Sequence, residues 1–208
     1  VSPASDKNQS GAVAEINPFS TRFVRPGAIP FLAGENVPSP TVLPQRLARQ
    51  QYWGAIVGPH GSGKTTLLYA LADALRARGR ELVWVTLQDG QRHLPAVLKQ
   101  HRHWHGQTQV IVDGYEQLGP ISRRRLKWAS RKRGAGLLVT SHQPVAIPTI
   151  FETRPTLRCV ERIVAHLLGD REQDLFSPAL LADCYARHGG DVREILFELY
   201  DRYEALRR

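Results

Sequence analysis

The stretch Trp53-Gly-Ala-Ile-Val-Gly-Pro-His-Gly-Ser-Gly-Lys-Thr-Thr66 decides how the rest of the chain is read. Ala55, Ile56 and Val57 form a short apolar strand. A glycine loop follows, and then Leu67, Leu68, Leu71 and Leu75 recur at helical spacing. The pattern G-x-x-x-x-G-K-T is complete, with Gly58, Gly63, Lys64 and Thr65 in its fixed positions. A loop of this composition turns successive backbone N–H groups inward on an anion. A helix that starts near Lys64 aims its unpaired N–H groups and positive dipole end at the same point. Lys64 is expected to reach the β- and γ-phosphates of a nucleoside triphosphate, and the Thr65 hydroxyl to ligate Mg²⁺. Gly58, Pro59, His60, Gly61, Ser62, Gly63, Lys64, Thr65 and Thr66 are therefore the expected phosphate-contacting set.

On these residues the chain resembles the P-loop NTPase superfamily. The resemblance implies a nucleoside triphosphate bound with Mg²⁺ in a three-layer αβα fold around a mostly parallel five-stranded sheet. It does not say what the energy is used for. Val110, Ile111 and Val112 form a second strand, which ends in Asp113 and resembles a Walker B motif. Asp113 is then a Mg²⁺ ligand, directly or through water; the plainer alternative is an Asp that caps the next turn. In many ATPases of this division a Glu follows that Asp and polarises the attacking water. Here Gly114 follows, and the nearest carboxylate is Glu116. Glu116 is either the water-orienting group, if the chain turns at Gly114, or a surface residue. Nucleotide binding is untouched by this departure, and the hydrolysis rate is left open.

Gly136–Ser141 reads as a further strand with a polar end. In ATPases with an additional strand between the P-loop and Walker B strands, a polar side chain there senses the γ-phosphate. Thr140, Ser141 and His142 are the candidates. The segment is also similar to the switch-histidine strand of transporter-type ATPases, with Ser141 inserted. Near the C-terminus, Ala186-Arg-His-Gly-Gly-Asp-Val-Arg193 resembles the start of a lid helix in AAA+ and related initiator-type ATPases. In that place Arg193 would point at the γ-phosphate; otherwise it is an exposed arginine of a first helical turn.

The chain divides by composition. Residues 1–17 are polar and read as a disordered arm. Residues 18–44 combine six prolines with Phe19, Phe23, Ile29 and Phe31, and read as an extended strap over the folded domain. Phe19, Arg22, Phe23 or Arg25 would either flank an adenine or simply cover the core. Residues 45–153 are the nucleotide-binding core. Within it, 91–104 look helical, with Leu94, Val97 and Leu98 on one face. The alternating His101, His103 and His105 read as a solvated segment, with zinc binding as the alternative. Residues 154–208 are a helical lid, with Ser177-Pro178 and Asp191 as helix starts.

The 208 residues suit one domain with a small helical addition. Two distant cysteines give no metal spacing or disulfide framework. No apolar run approaches the ~20 residues of a membrane span, and the first ten residues lack a signal-peptide core. A cytoplasmic location is the expectation. GTP is disfavoured, because no Asn follows Asn36 and the Asn-Lys-x-Asp guanine signature cannot occur after the loop. ATP is the expected nucleotide.

Three functional classes follow: an ATPase that couples nucleotide state to a conformational change on a partner, a nucleotide-gated binding module with little turnover, and a small-molecule P-loop kinase. The net charge of +9 is concentrated in Arg123–Arg133, where seven cations crowd together and no acidic residue intervenes between Glu116 and Glu152. That segment is a nucleic-acid contact, a solvated face, or the source of an arginine for a neighbour's nucleotide in a homo-oligomer.

Overall fold

The computed structural model describes residues 16–32, 42–169 and 175–207. Expectations for 1–15 and 33–41 lie outside them. In chain order the elements are α1 (Thr21–Val24), α2 (Leu43–Arg49), β1 (Trp53–Val57), α3 (Lys64–Arg76), β2 (Glu81–Thr86), α4 (Ala96–Lys99), β3 (Thr108–Asp113), α5 (Pro120–Lys132), β4 (Gly136–Ser141), β5 (Thr149–Glu152), α6 (Leu157–Leu168), α7 (Pro178–Arg187) and α8 (Val192–Leu206).

The five strands form one sheet in the order β2-β3-β4-β1-β5, and every pairing is parallel. Parallel strands need crossovers, so helices cover both faces and both faces are apolar. Alternation along each strand assigns its residues to two cores. Ala55, Val57, Val110, Val112, Leu137 and Val139 point to one face, where Leu126 and Ala129 of α5 and Leu98 of α4 cover them. Ile56, Ile111 and Leu138 point to the other, against Leu67, Leu68, Leu71 and Leu75 of α3 and Leu43 and Leu47 of α2. β4 lies between the loop strand β1 and the Asp113 strand β3, so the C-terminal ends of all three open on one edge.

A third core joins α6, α7 and α8. Val160, Val164, Leu181, Cys184, Ile195 and Leu199 meet there, and Phe19 inserts among them at 1% exposure. Phe19 meets Phe176 and Tyr203 edge-on, with ring centroids 5.6 and 6.1 Å away. Ser177 and Asp191 cap α7 and α8 by accepting backbone N–H bonds.

Two expectations change. Residues 91–104 do not form one helix: α4 has four residues, and His101–His103 make a single 3₁₀ turn. Pro95 caps α4 in an extended conformation, which stops helix growth toward the N-terminus. The described part of 18–44 is not extended throughout, because Thr21–Val24 completes a helical turn. His105 Nε2 donates to Glu81 Oε2 at 3.0 Å, a carboxylate far off in sequence. Among the described residues no group of three His, Cys, Asp or Glu side chains is placed to hold a metal, and no helix is long and apolar enough to cross a membrane.

Candidate functional site

The strand ends, the 58–66 loop, the N-terminal segment and the lid helices enclose a cavity of about 1490 Å³. Its polar floor is built from the loop that follows β1, from Asp113 at the end of β3 and from Thr140 of β4. The loop leaves β1 at Val57 and enters α3 at Lys64, with Gly63 as the N-cap. His60, Gly61, Ser62, Gly63, Lys64, Thr65 and Thr66 line the cavity. Gly58 and Pro59 do not; their carbonyl oxygens instead accept from Lys64 Nζ at 2.8 and 2.5 Å. Burial pushes the Lys64 ammonium pKa down, while the carboxylates of Glu116, Asp113 and Asp191 oppose that shift. Ser62 donates to Pro59 O, and its hydroxyl shares a 2.6 Å hydrogen bond with that of Thr153, so the residue that follows β5 braces the loop.

Asp113 ends β3 beside the loop. Its Oδ2 accepts from the Thr65 hydroxyl at 2.8 Å, and its Oδ1 accepts from the Thr140 hydroxyl at 2.6 Å. The same Thr140 oxygen accepts from Gly114 N at 2.8 Å. Three elements are thereby fixed on one carboxylate. These oxygen donors, one hydroxyl and one carboxylate in contact, are the type that suits Mg²⁺.

The chain does turn at Gly114. Its φ of 81° lies in the left-handed region, and the 3₁₀ turn Tyr115–Gln117 follows at once. That turn brings Glu116 back into the cavity. Glu116 Oε1 accepts from His142 Nε2 at 2.8 Å. Glu116 Oε2 is buried and accepts from no protein donor among the described residues. On the other side of the ring, His142 Nδ1 lies 3.4 Å from Lys64 Nζ. The network assigns the neutral Nε2–H tautomer: Nε2 donates to the carboxylate and Nδ1 faces the ammonium. Burial pushes the His142 pKa down; Glu116 opposes this, and Lys64 and His60 reinforce it. His60 stacks on His142 with centroids 3.6 Å apart.

Strand alternation separates the three polar candidates at the end of β4. Thr140 and His142 line the cavity, and Ser141, 1% exposed, does not. From the lid, Arg193 reaches the cavity and lies close enough to Lys64 to depress its pKa. Asp191 sits directly on the loop: a methyl at Gly61, whose φ is 62°, would collide with its carboxylate. Phe19 is committed to the lid core, whereas Arg25, Ile29, Phe31 and Leu32 form a wall opposite Cys159 and Ile163 of α6 and Leu196 of α8. Phe31 meets Phe151 edge-on at 5.9 Å. Of the adenine-flanking candidates Phe19, Arg22, Phe23 and Arg25, only Arg25 lines the cavity; no sequence signal marked the rest of this wall, the Thr153 brace or the contact of Asp191 with Gly61. Each depends on how distant elements dock.

No protein-family model matches the chain, and no curated protein sequence matches it. Among solved structures, AMPPCP-bound DnaA from Aquifex aeolicus superposes with a TM-score of 0.56 at 16% identity, over 81% of this chain and 61% of that one. The chain shares its fold with that DnaA structure. C. elegans PCH-2 overlaps with a TM-score of 0.37 at 12% identity, over 81% of this chain and 67% of that one, which is too loose to bear on the fold. This chain spans less than two thirds of the DnaA chain's length, and at that identity the likeness is one of architecture.

Proposed function

We propose that the cavity binds Mg·ATP and hydrolyses it, and that the lid carries the nucleotide state to a partner. The observation that carries this reading is the convergence of Lys64, Thr65, Asp113, Thr140, Glu116 and His142 at one edge of the sheet. Lys64 is held over the loop by two carbonyls and is free to exchange them for phosphate oxygens. The loop N–H groups and the start of α3 orient those phosphates. Thr65 and Asp113 would hold Mg²⁺, which supplies charge neutralisation on the phosphate oxygens. Glu116 acts as the water-orienting group: Oε2 accepts a proton of the attacking water while His142 fixes Oε1. Thr140 holds Asp113 and the Gly114 turn in register. Arg193, carried on the lid, adds positive charge at the same phosphates. The apolar wall of Ile29, Phe31, Ile163 and Leu196 suits the flat face of a base.

A nucleotide-gated module with little turnover is the second reading. One observation favours it: Glu116 Oε1 is already engaged by His142. Steady-state ATP hydrolysis by the wild type and by Glu116→Gln separates the two. A turnover that the substitution abolishes supports the ATPase, and a wild type without turnover supports the gated module.

A further inference from the structure

α5 bears Arg123, Arg124, Arg125, Lys127, Arg131 and Lys132 without one carboxylate, and no acidic residue lies between Glu116 and Glu152. A helix that only keeps a charged face in water normally interleaves both signs, because like charges one turn apart repel. Arg123, Lys127 and Arg131 form one row at four-residue spacing, and Arg124, Trp128 and Lys132 form the row beside it. Both rows line one groove of about 1010 Å³, whose far wall is Pro144, Val145 and Ala146. Arg124 and Lys127 have no hydrogen bond or ion pair among the described residues. Trp128 is 56% exposed, with Lys132 Nζ 4.8 Å from its ring centroid.

We propose that this groove binds a single strand of nucleic acid, with its phosphates along the two cation rows and a base stacked on Trp128. A concave channel with an aromatic platform takes an unpaired strand, whereas duplex readers present a convex element to a groove. An acidic peptide would satisfy the cations and leave the indole without a flat partner. The groove is also tied to the ATP site. Arg123 donates to Glu116 O at 2.5 Å, and its guanidinium lies 5.4 Å from the Tyr115 centroid. The far wall continues from His142, the partner of Glu116. A bound strand therefore acts on hydrolysis through Glu116. This last step rests on the ATPase reading; the binding itself does not.

The test is fluorescence anisotropy of a labelled oligothymidylate of roughly 15 residues, and of the matching oligouridylate, titrated without nucleotide at several salt concentrations. Binding of either strand is expected to saturate and to weaken with salt. Arg124→Glu with Lys127→Glu should weaken it at least tenfold and lower the salt slope by about 1.4, for two phosphate contacts. Trp128→Ala should weaken it roughly tenfold with an unchanged slope. Circular dichroism checks folding, and the milder Arg124→Gln with Lys127→Gln replaces the charge reversal if that variant does not fold. The proposal is overturned by an absent anisotropy change at low salt, by undiminished binding of the charge variant, or by duplex DNA or polyglutamate competing as well as the single strand. Added strand should change the steady-state ATPase rate; binding without any such change overturns the link to Glu116. Because the titration contains no nucleotide, failure of ATP binding leaves its result standing.

Discussion

Glu116 Oε1 accepts a 2.8 Å hydrogen bond from His142 Nε2, which ties the first carboxylate after Asp113 to the end of the neighbouring strand. Gly114 moves that carboxylate three positions past Asp113, and the left-handed turn at the same glycine brings it back. His142 then holds one oxygen and leaves the other buried without a protein donor. His142 also faces Lys64, so Glu116 and Lys64 share one imidazole.

Glu116→Gln is expected to lower kcat by about 10²–10⁴-fold while leaving ATP affinity unchanged, since general-base groups contribute on that scale. His142→Ala should lower kcat as well, because Glu116 loses its fixed orientation. His142→Gln, whose amide can still donate, should recover part of the loss. Steady-state kinetics on the three variants check this; equal rates for His142→Ala and wild type would remove His142 from the scheme.

Thr140→Val removes a hydroxyl that donates to Asp113 and accepts from Gly114 N. The shape is nearly kept, so the cost is that of two groups left unpaired, about 1–3 kcal/mol each at most. Urea denaturation should show this loss, together with reduced hydrolysis. A stability equal to that of the wild type would mean that Thr140 is not the clasp between β3 and β4.

His142 gives a pH signature. Burial, with Lys64 and His60 assisting and Glu116 opposing, sets its folded pKa below the ordinary 6.5. As pH falls, the unfolded chain takes up this proton first, so folding loses stability between 6.5 and the lower folded value. The contribution is complete above 6.5. His142→Gln should flatten that part of the stability–pH curve, as measured by denaturant midpoints; an unchanged slope contradicts it.

Glu198 gives the opposite case within the lid. Burial resists its charge, but hydrogen bonds from Arg202, His188 and Arg187 outweigh that and bring its pKa to about 2. The stabilisation is present above the ordinary value of 4.5 and is lost as pH falls toward about 2. Glu198→Gln should cost about 1–2 kcal/mol near neutrality and little at the acid end. Denaturation curves at both ends check it.

Much of the site was legible because its chemistry is local. The glycine loop, Lys64 and Thr65 occupy one continuous segment, and Asp113 ends an apolar strand that can be recognised without its neighbours. Alternation along β4 was also available: it sets Thr140 and His142 on one side and Ser141 on the other, and had it been applied it would have withdrawn Ser141 from the phosphate-sensing candidates. The helix expected over 91–104 failed because apolar spacing was weighed above Pro95, whose ring excludes the helix from growing backward. Docking was not legible at all. Phe19 sits in the core of α6–α8, and Asp191 sits on Gly61, because of surfaces that exist only once the lid has folded.

Nucleotide binding in this cavity is tested at Lys64. Equilibrium titration of a fluorescent ATP analogue with Mg²⁺ into the wild type and Lys64→Ala tests it most directly. Saturable binding by the wild type is expected, with a loss of roughly 10–100-fold in the variant, the scale of charge-assisted bonds to phosphate. Equal affinity in a folded Lys64→Ala protein would contradict it.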